Sequence, residues 1–174
     1  MVKTLRESEF LWKLLKFALV ILIFLKACNF AYFDLLGNFK SLTDFNAFYI
    51  AGKLALLGRL SEAYHFDQMH AAQIRYTGSD NFLPWTYPLP FDLVLAPLAL
   101  LPIALAYLVF ISISLVAYVA ILQRLAIENI RLIALLLIPA LLLNVGCGQN
   151  GLLTGSLVGL FCIKYIRGNR LSGV

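Results

Sequence analysis

Charge is scarce in this chain: Asp, Glu, Lys and Arg make up 13% of its 174 residues, against 61% hydrophobic residues. The mean hydropathy is +0.86. So little charge excludes an ordinary soluble domain, in which about a quarter of the residues are charged, and makes the bilayer the solvent for most of the chain. Cysteine is nearly absent. Cys28, Cys147 and Cys162 have no metal-ligand spacing and lie in or beside apolar runs, so they read as small apolar fillers. A P-loop and a dinucleotide fingerprint are also missing, and with them the usual cradles for a nucleotide's phosphates. His65, Asp67 and His70 lack the i,i+4 pair and the third ligand of a zinc site, so no metal is assigned. The net charge of +5 does not point to nucleic acid, because the basic residues flank apolar runs instead of collecting on one polar face.

What is present is a series of apolar runs between Phe17 and Ile166, to be set against the roughly 20 residues that cross a hydrocarbon core. A first span is expected over 15–33, after a cytoplasmic N-terminus at 1–14. A cleaved signal is excluded because no small-x-small site follows and apolar character continues to Leu36. An outer loop follows at 34–90. A segment at 91–101, bounded by Pro90 and Pro102 and interrupted by Pro97, is too short to cross as a straight helix and reads as a half-helix or re-entrant piece. Further spans are expected at 103–122, 132–145 and 152–166, with a cytoplasmic end at 167–174. The expected fold is an all-α, polytopic membrane protein with about four transmembrane helices, located as a multi-pass protein in the cell membrane among its lipids. Short flanks carry four basic residues at the N-terminus, two between the second and third spans and three at the C-terminus. All of them are cytoplasmic in the four-span arrangement, as the positive-inside rule asks.

The polar residues gather in the outer loop. Phe45, Phe48, Tyr49, Gly52 and Leu56 recur at three- and four-residue spacing, which predicts a helix over about 45–57 with an apolar, aromatic face, lying in the membrane interface. Asp44 stands at its N-terminal edge. There it can cap the helix and meet the positive end of its dipole, or act as a general base on an acceptor hydroxyl, and the two roles are compatible. A second amphipathic piece, Phe66–Tyr76, carries Asp67, His70 and Arg75 and reads as a solvated face. Trp85 and Tyr87 suit the headgroup belt where the chain re-enters the membrane. Lys26, a charge inside the first span, is either functional or a long side chain snorkelling to the interface. Between the last two expected spans, Asn144-Val145-Gly146-Cys147-Gly148-Gln149-Asn150-Gly151 reads as a polar, glycine-rich turn whose amides can bond a hydroxylated or phosphorylated ligand, or satisfy the turn itself.

Four blocks taken in order carry a resemblance: Asp44-x-x-x-Phe48-Tyr49-x-Ala51-Gly52, Tyr64-x-x-Asp67, Tyr87-Pro88-x-Pro90 with Pro97 and Leu101-Pro102, and Gly148-Gln149-Asn150. Together they resemble glycosyltransferase family 87, polytopic enzymes of the GT-C superfamily. The resemblance implies a hexosyltransferase that moves a sugar, commonly mannose, from a polyprenyl-phosphate donor to a lipid or glycan acceptor outside the cytoplasmic membrane, with no cofactor. It also implies that Asp44 is the base of an inverting displacement, with Asp34 and Asp67 as the nearest substitutes. Lys53, Arg59 and Arg75 are then the cations available to a phosphate leaving group, and Phe48, Tyr49, Asp67, Tyr87, Gln149 and Asn150 complete the expected substrate contacts. Members of the family are longer, so the expectation is a truncated chain, inactive alone or completed by a partner that supplies the missing C-terminal helices. The competing reading is a non-catalytic membrane assembly partner or a small transporter. Transport is disfavoured because Lys26 is the only clear charge inside a span.

Overall fold

The structure, a computed structural model, describes residues 2–36, 42–125 and 130–168. The connector at 126–129 and the end at 169–174, with Arg170, lie outside the described residues. Among the described residues every regular element is helical: α1 (Val2–Leu36), α2 (Asp44–Leu56), a 3₁₀ turn (Leu60–Tyr64), α3 (Phe66–Thr77), α4 (Leu89–Leu98), α5 (Ile103–Leu125), α6 (Ile130–Leu136), α7 (Ile138–Cys147) and α8 (Gly151–Ile166).

Two stretches are long and apolar enough to cross a bilayer, Phe10–Leu35 and Ile103–Leu125. Only 22% and 28% of their most apolar windows are buried within the protein. A core helix of a soluble protein would be covered; these present Phe17, Val20, Phe24, Ile113 and Val116 outward, as helices in lipid do. The other apolar helices are shorter. The ten residues of α4 rise only about 15 Å and the sixteen of α8 about 24 Å. The stretch expected as one span at 132–145 is two helices, α6 and α7, interrupted at Leu137. The cause is Pro139 in the first turn of α7, which has no N–H to continue the ladder. The three cysteines are unbridged, and Cys28 lies on the exposed surface of α1.

The chain forms two compact units, residues 1–23 with 111–174, and residues 24–110. In the second unit an aromatic core joins α1, α2 and α5. Phe45 sits with its ring centroid 5.6 Å from Phe30, 5.4 Å from Tyr107 and 5.8 Å from Phe110. Helix α2 packs on α4 so closely that a Cβ at Gly52 would fall 2.7 Å from the Leu95 carbonyl oxygen. The apolar face expected to lie against lipid is therefore turned inward. Phe45, Phe48, Ile50, Ala51 and Leu54 are all buried, and Leu56 alone of the expected stripe is well exposed. An aromatic stripe looks the same in sequence whether lipid or protein covers it.

In the first unit α8 packs against α5 through Gly155 and Gly159. A Cβ at Gly155 would lie 2.9 Å from the Tyr118 ring, and one at Gly159 would collide with Ile121. This is the small-xxx-small spacing by which helices approach closely in lipid.

Candidate functional site in the unit 24–110

Helix α2 begins with a capping box made by Thr43 and Asn46. The Thr43 backbone N–H donates to Asn46 Oδ1 at 3.0 Å, and the Thr43 hydroxyl donates to the same oxygen at 2.7 Å. The cap is thus Thr43, one residue before the aspartate that sequence offers for the role. Asp44 is the first residue of the helix proper, partly exposed, with its carboxylate at the positive end of the α2 dipole.

Phe48, one turn further on, is the centre of a second aromatic group. Tyr87, Phe91 and Trp85 meet it edge-on at centroid distances of 5.1, 5.2 and 6.0 Å. Such edge-to-face pairs stabilise by roughly 0.5–1.5 kcal/mol each beyond burial, so the Tyr87 ring is well fixed. Burial raises the Tyr87 phenol above its ordinary pKa, and the negative charge of Asp44 raises it further. Asp44, Phe48 and Tyr87 thus form one neighbourhood at the start of α2.

Tyr49 and Lys53 form a second one. The Tyr49 hydroxyl donates to the Leu101 carbonyl at 2.8 Å, and its pKa is pushed up to about 12, first by burial and then by the charge of Asp34. The Lys53 ammonium lies over the Tyr49 ring, 5.2 Å from its centroid. With Asp34, Asn46, Tyr76 and Thr77 they line a cavity of about 200 Å³. Lys53 and Asp34 therefore share a polar cavity. Arg59 and Arg75 line a different depression, of about 230 Å³, with Glu62 and Gln68. Arg59 is committed there to an ion pair, its Nη2 donating to Glu62 Oε2 at 2.8 Å, and Glu62 is held below its usual pKa by that bond. Asp67 is exposed in the first turn of α3. The three cations proposed from sequence are thus divided between two places, with Lys53 the one nearest to Tyr49.

Gln149 and Asn150 belong to the other unit, 1–23 with 111–174, and are described within it. Helix α7 ends at Gly148, whose φ of 67° puts it in the left-handed region that glycine tolerates. The Gly148 and Gln149 amides both donate to the Asn144 carbonyl, and Asn150 is the N-cap residue of α8. The turn expected over 144–151 is shorter than that, because α7 continues through Cys147, and its own backbone uses those two amides.

Sequence reasoning missed two groups in the unit 24–110. Gln73, fully buried on α3, pairs with both backbone groups of Leu83: its Nε2 donates to the carbonyl at 2.6 Å, and the Leu83 N–H donates to its Oε1 at 2.9 Å. That clasp fixes the strand-like passage before Trp85. The second is Asp92, 1% exposed in the first turn of α4, bonded to the Tyr64 hydroxyl at 2.7 Å. A signal existed for it. Asp92 is the only charge in the apolar run 91–101, and a lone acid in such a run is a functional candidate by the same reasoning applied to Lys26.

Comparison with known families supplies the context for this geometry. Residues 85–174 match the family model described as glycosyltransferase family 87. The chain belongs to that family. The match takes in Tyr87, the prolines around α4, Asp92 and the Gly148-Gln149-Asn150 turn of this family 87 protein, and starts after Asp44, Phe48, Tyr49, Lys53, Arg59, Asp67 and Arg75. No curated protein and no solved structure matches the chain. As a family 87 member it is a membrane glycosyltransferase by family, and its two long, largely exposed apolar helices agree with that.

Proposed function

We propose that this family 87 protein transfers a hexose, mannose in the first instance, from a polyprenyl-phosphate donor to a hydroxyl of a lipid or glycan acceptor at the outer face of the cell membrane, with Asp44 as general base and no cofactor. The observation that carries the role of Asp44 is its place. It is a carboxylate in the first turn of α2, and its charge acts on Tyr87 inside the family-matched stretch.

In the proposed step the acceptor oxygen attacks the anomeric carbon of the sugar while its proton passes to the Asp44 carboxylate. The bond from that carbon to the phosphate oxygen breaks, and the polyprenyl phosphate leaves with the bonding pair, inverting the anomeric centre. Charge develops on the leaving phosphate, which a fixed cation stabilises. Lys53, held over Tyr49 beside a polar cavity, suits this better than Arg59, whose guanidinium is already paired. Phe48 and Tyr87 offer aromatic faces to a sugar ring or prenyl unit, and Arg75 and Asp67 line the outer approach. Membrane lipids surround the chain, and a partner that contributes further helices belongs to the same proposal.

The test is transfer of labelled mannose from polyprenyl-phosphate mannose in membranes carrying the chain, with Asp44→Asn at equal expression. Loss of a general base lowers such a rate by about 10²–10⁴-fold, so Asp44→Asn is expected to fall by at least 100-fold on that scale. A variant as active as the wild type would remove Asp44 from the chemistry.

A further inference from the structure

Around Tyr64 the hydrogen bonds do not balance if every acid is ionised. A phenol carries one hydrogen, yet the Tyr64 oxygen lies 3.0 Å from the Tyr87 carbonyl oxygen and 2.7 Å from Asp92 Oδ2. With Asp92 as a carboxylate both neighbours are acceptors, and one of the two contacts has no hydrogen in it. The other oxygen, Asp92 Oδ1, is buried without a hydrogen-bond partner among the described residues. Burial of an ionised carboxylate with a single donor is costly. Burial is also what raises the Asp92 pKa, against the opposing effect of the Tyr64 bond.

We propose that Asp92 is held as the neutral acid and donates its proton to the Tyr64 oxygen, so that Tyr64 in turn donates to the Tyr87 carbonyl. Each contact then contains one hydrogen, and Oδ1 is a carbonyl-type oxygen whose isolation costs far less than that of a charged one. The chain of two bonds ties α4 and the 3₁₀ turn to the backbone of Tyr87, and the Tyr87 ring is fixed against Phe48. Asp92 is thus a positioning residue: it sets Tyr87, whose hydroxyl feels Asp44, and it touches no substrate itself. Its effect on transfer rests on the reading of Asp44 given above; its protonation state does not.

The full chain in lipid nanodiscs is examined by infrared difference spectroscopy, wild type against Asp92→Asn. The carbonyl stretch of a neutral carboxylic acid, shifting in D₂O, is expected in the wild type and lost in the variant. If the wild type lacks that band, Asp92 is ionised and the inference is overturned. Positioning is read separately. In a Trp12→Phe background Trp85 is the remaining tryptophan of two, and its ring lies 5.0 Å from that of Tyr87. Asp92→Asn keeps a donor towards Tyr64 and is expected to leave Trp85 shielded from acrylamide. Asp92→Ala and Tyr64→Phe remove the chain and are expected to lose that shielding. Tyr64 is partly exposed, so Tyr64→Phe folds even if the alanine variant does not. Unchanged shielding in Tyr64→Phe overturns the positioning role. In the mannose assay Tyr64→Phe is expected to lose up to about 100-fold, the scale of a displacement of about 1 Å in a reacting group, with Asp92→Asn rescuing relative to Asp92→Ala. Should the wild type transfer no sugar while the band and the shielding behave as expected, the inference stands and only the transfer reading falls.

Discussion

Tyr49 shows how one buried hydroxyl couples packing to proton chemistry. Its phenol donates to Leu101 and titrates at about 12 instead of the ordinary 10.0. Because the folded pKa is raised, the folded state holds the proton more tightly than the unfolded one. The corresponding stability is fully present below about pH 10 and is lost as pH rises from there through about pH 12. Ultraviolet titration of the phenolate is expected to show one tyrosine ionising near pH 12, absent in Tyr49→Phe, and the variant is expected to lose less stability than the wild type across that alkaline window. Asp92, also raised by burial, has the same sign at the acid end: ionising it as pH rises above the free-carboxylate range lowers stability. Of the ten residues singled out from sequence, Asp44, Phe48 and Tyr87 come together, as do Tyr49 and Lys53. Arg59 is diverted to Glu62, a partner three residues away that the sequence already contained.

At the scale of elements, glycines decide the closest approaches. Gly52 lets α2 sit on the backbone of α4. Gly52→Ala has no flexible side chain to push aside, so it is expected to destabilise by about 1–3 kcal/mol, measured by thermal unfolding in detergent. It should also separate Phe48 from Phe91, weakening the aromatic group around Tyr87. Gly159 plays the equivalent part between α8 and α5, where a methyl meets Ile121. Helix type was legible throughout, because apolar runs in lipid have few options other than helix. Element boundaries were less so. The break at Leu137 needed only Pro139 to be read as a helix start, whereas the inward turn of the α2 aromatic face depends on α4 and α5 arriving to cover it.

For the molecule as a whole, the short apolar helices decide how many times the chain crosses the membrane. Two helices have the length to do so, and α4, α6, α7 and α8 are each shorter than the bilayer core. With the native cysteines replaced, single cysteines introduced as Ser8→Cys, Ser79→Cys and Gly168→Cys report the sides. In the proposed four-span arrangement Ser79→Cys labels from outside with a membrane-impermeant maleimide, while Ser8→Cys and Gly168→Cys label only after permeabilisation. If α4 crosses, Gly168→Cys labels from outside together with Ser79→Cys.

The sequence by itself determined the solvent, the helical class and the family. Scarce charge and long apolar runs leave a bilayer as the medium, and the medium leaves helices. Four motifs, around Asp44, Tyr64, Tyr87 and Gly148, carry the family resemblance, and the family match covers the last two. Tertiary structure alone decided that Thr43 caps α2, that α2 turns its aromatic face inward, and that the buried Asp92 meets Tyr64. Each of these depends on what stands opposite a side chain, and Tyr64 and Asp92 are 28 positions apart in the chain. Periodicity reports which residues share a face, and only packing says what that face meets.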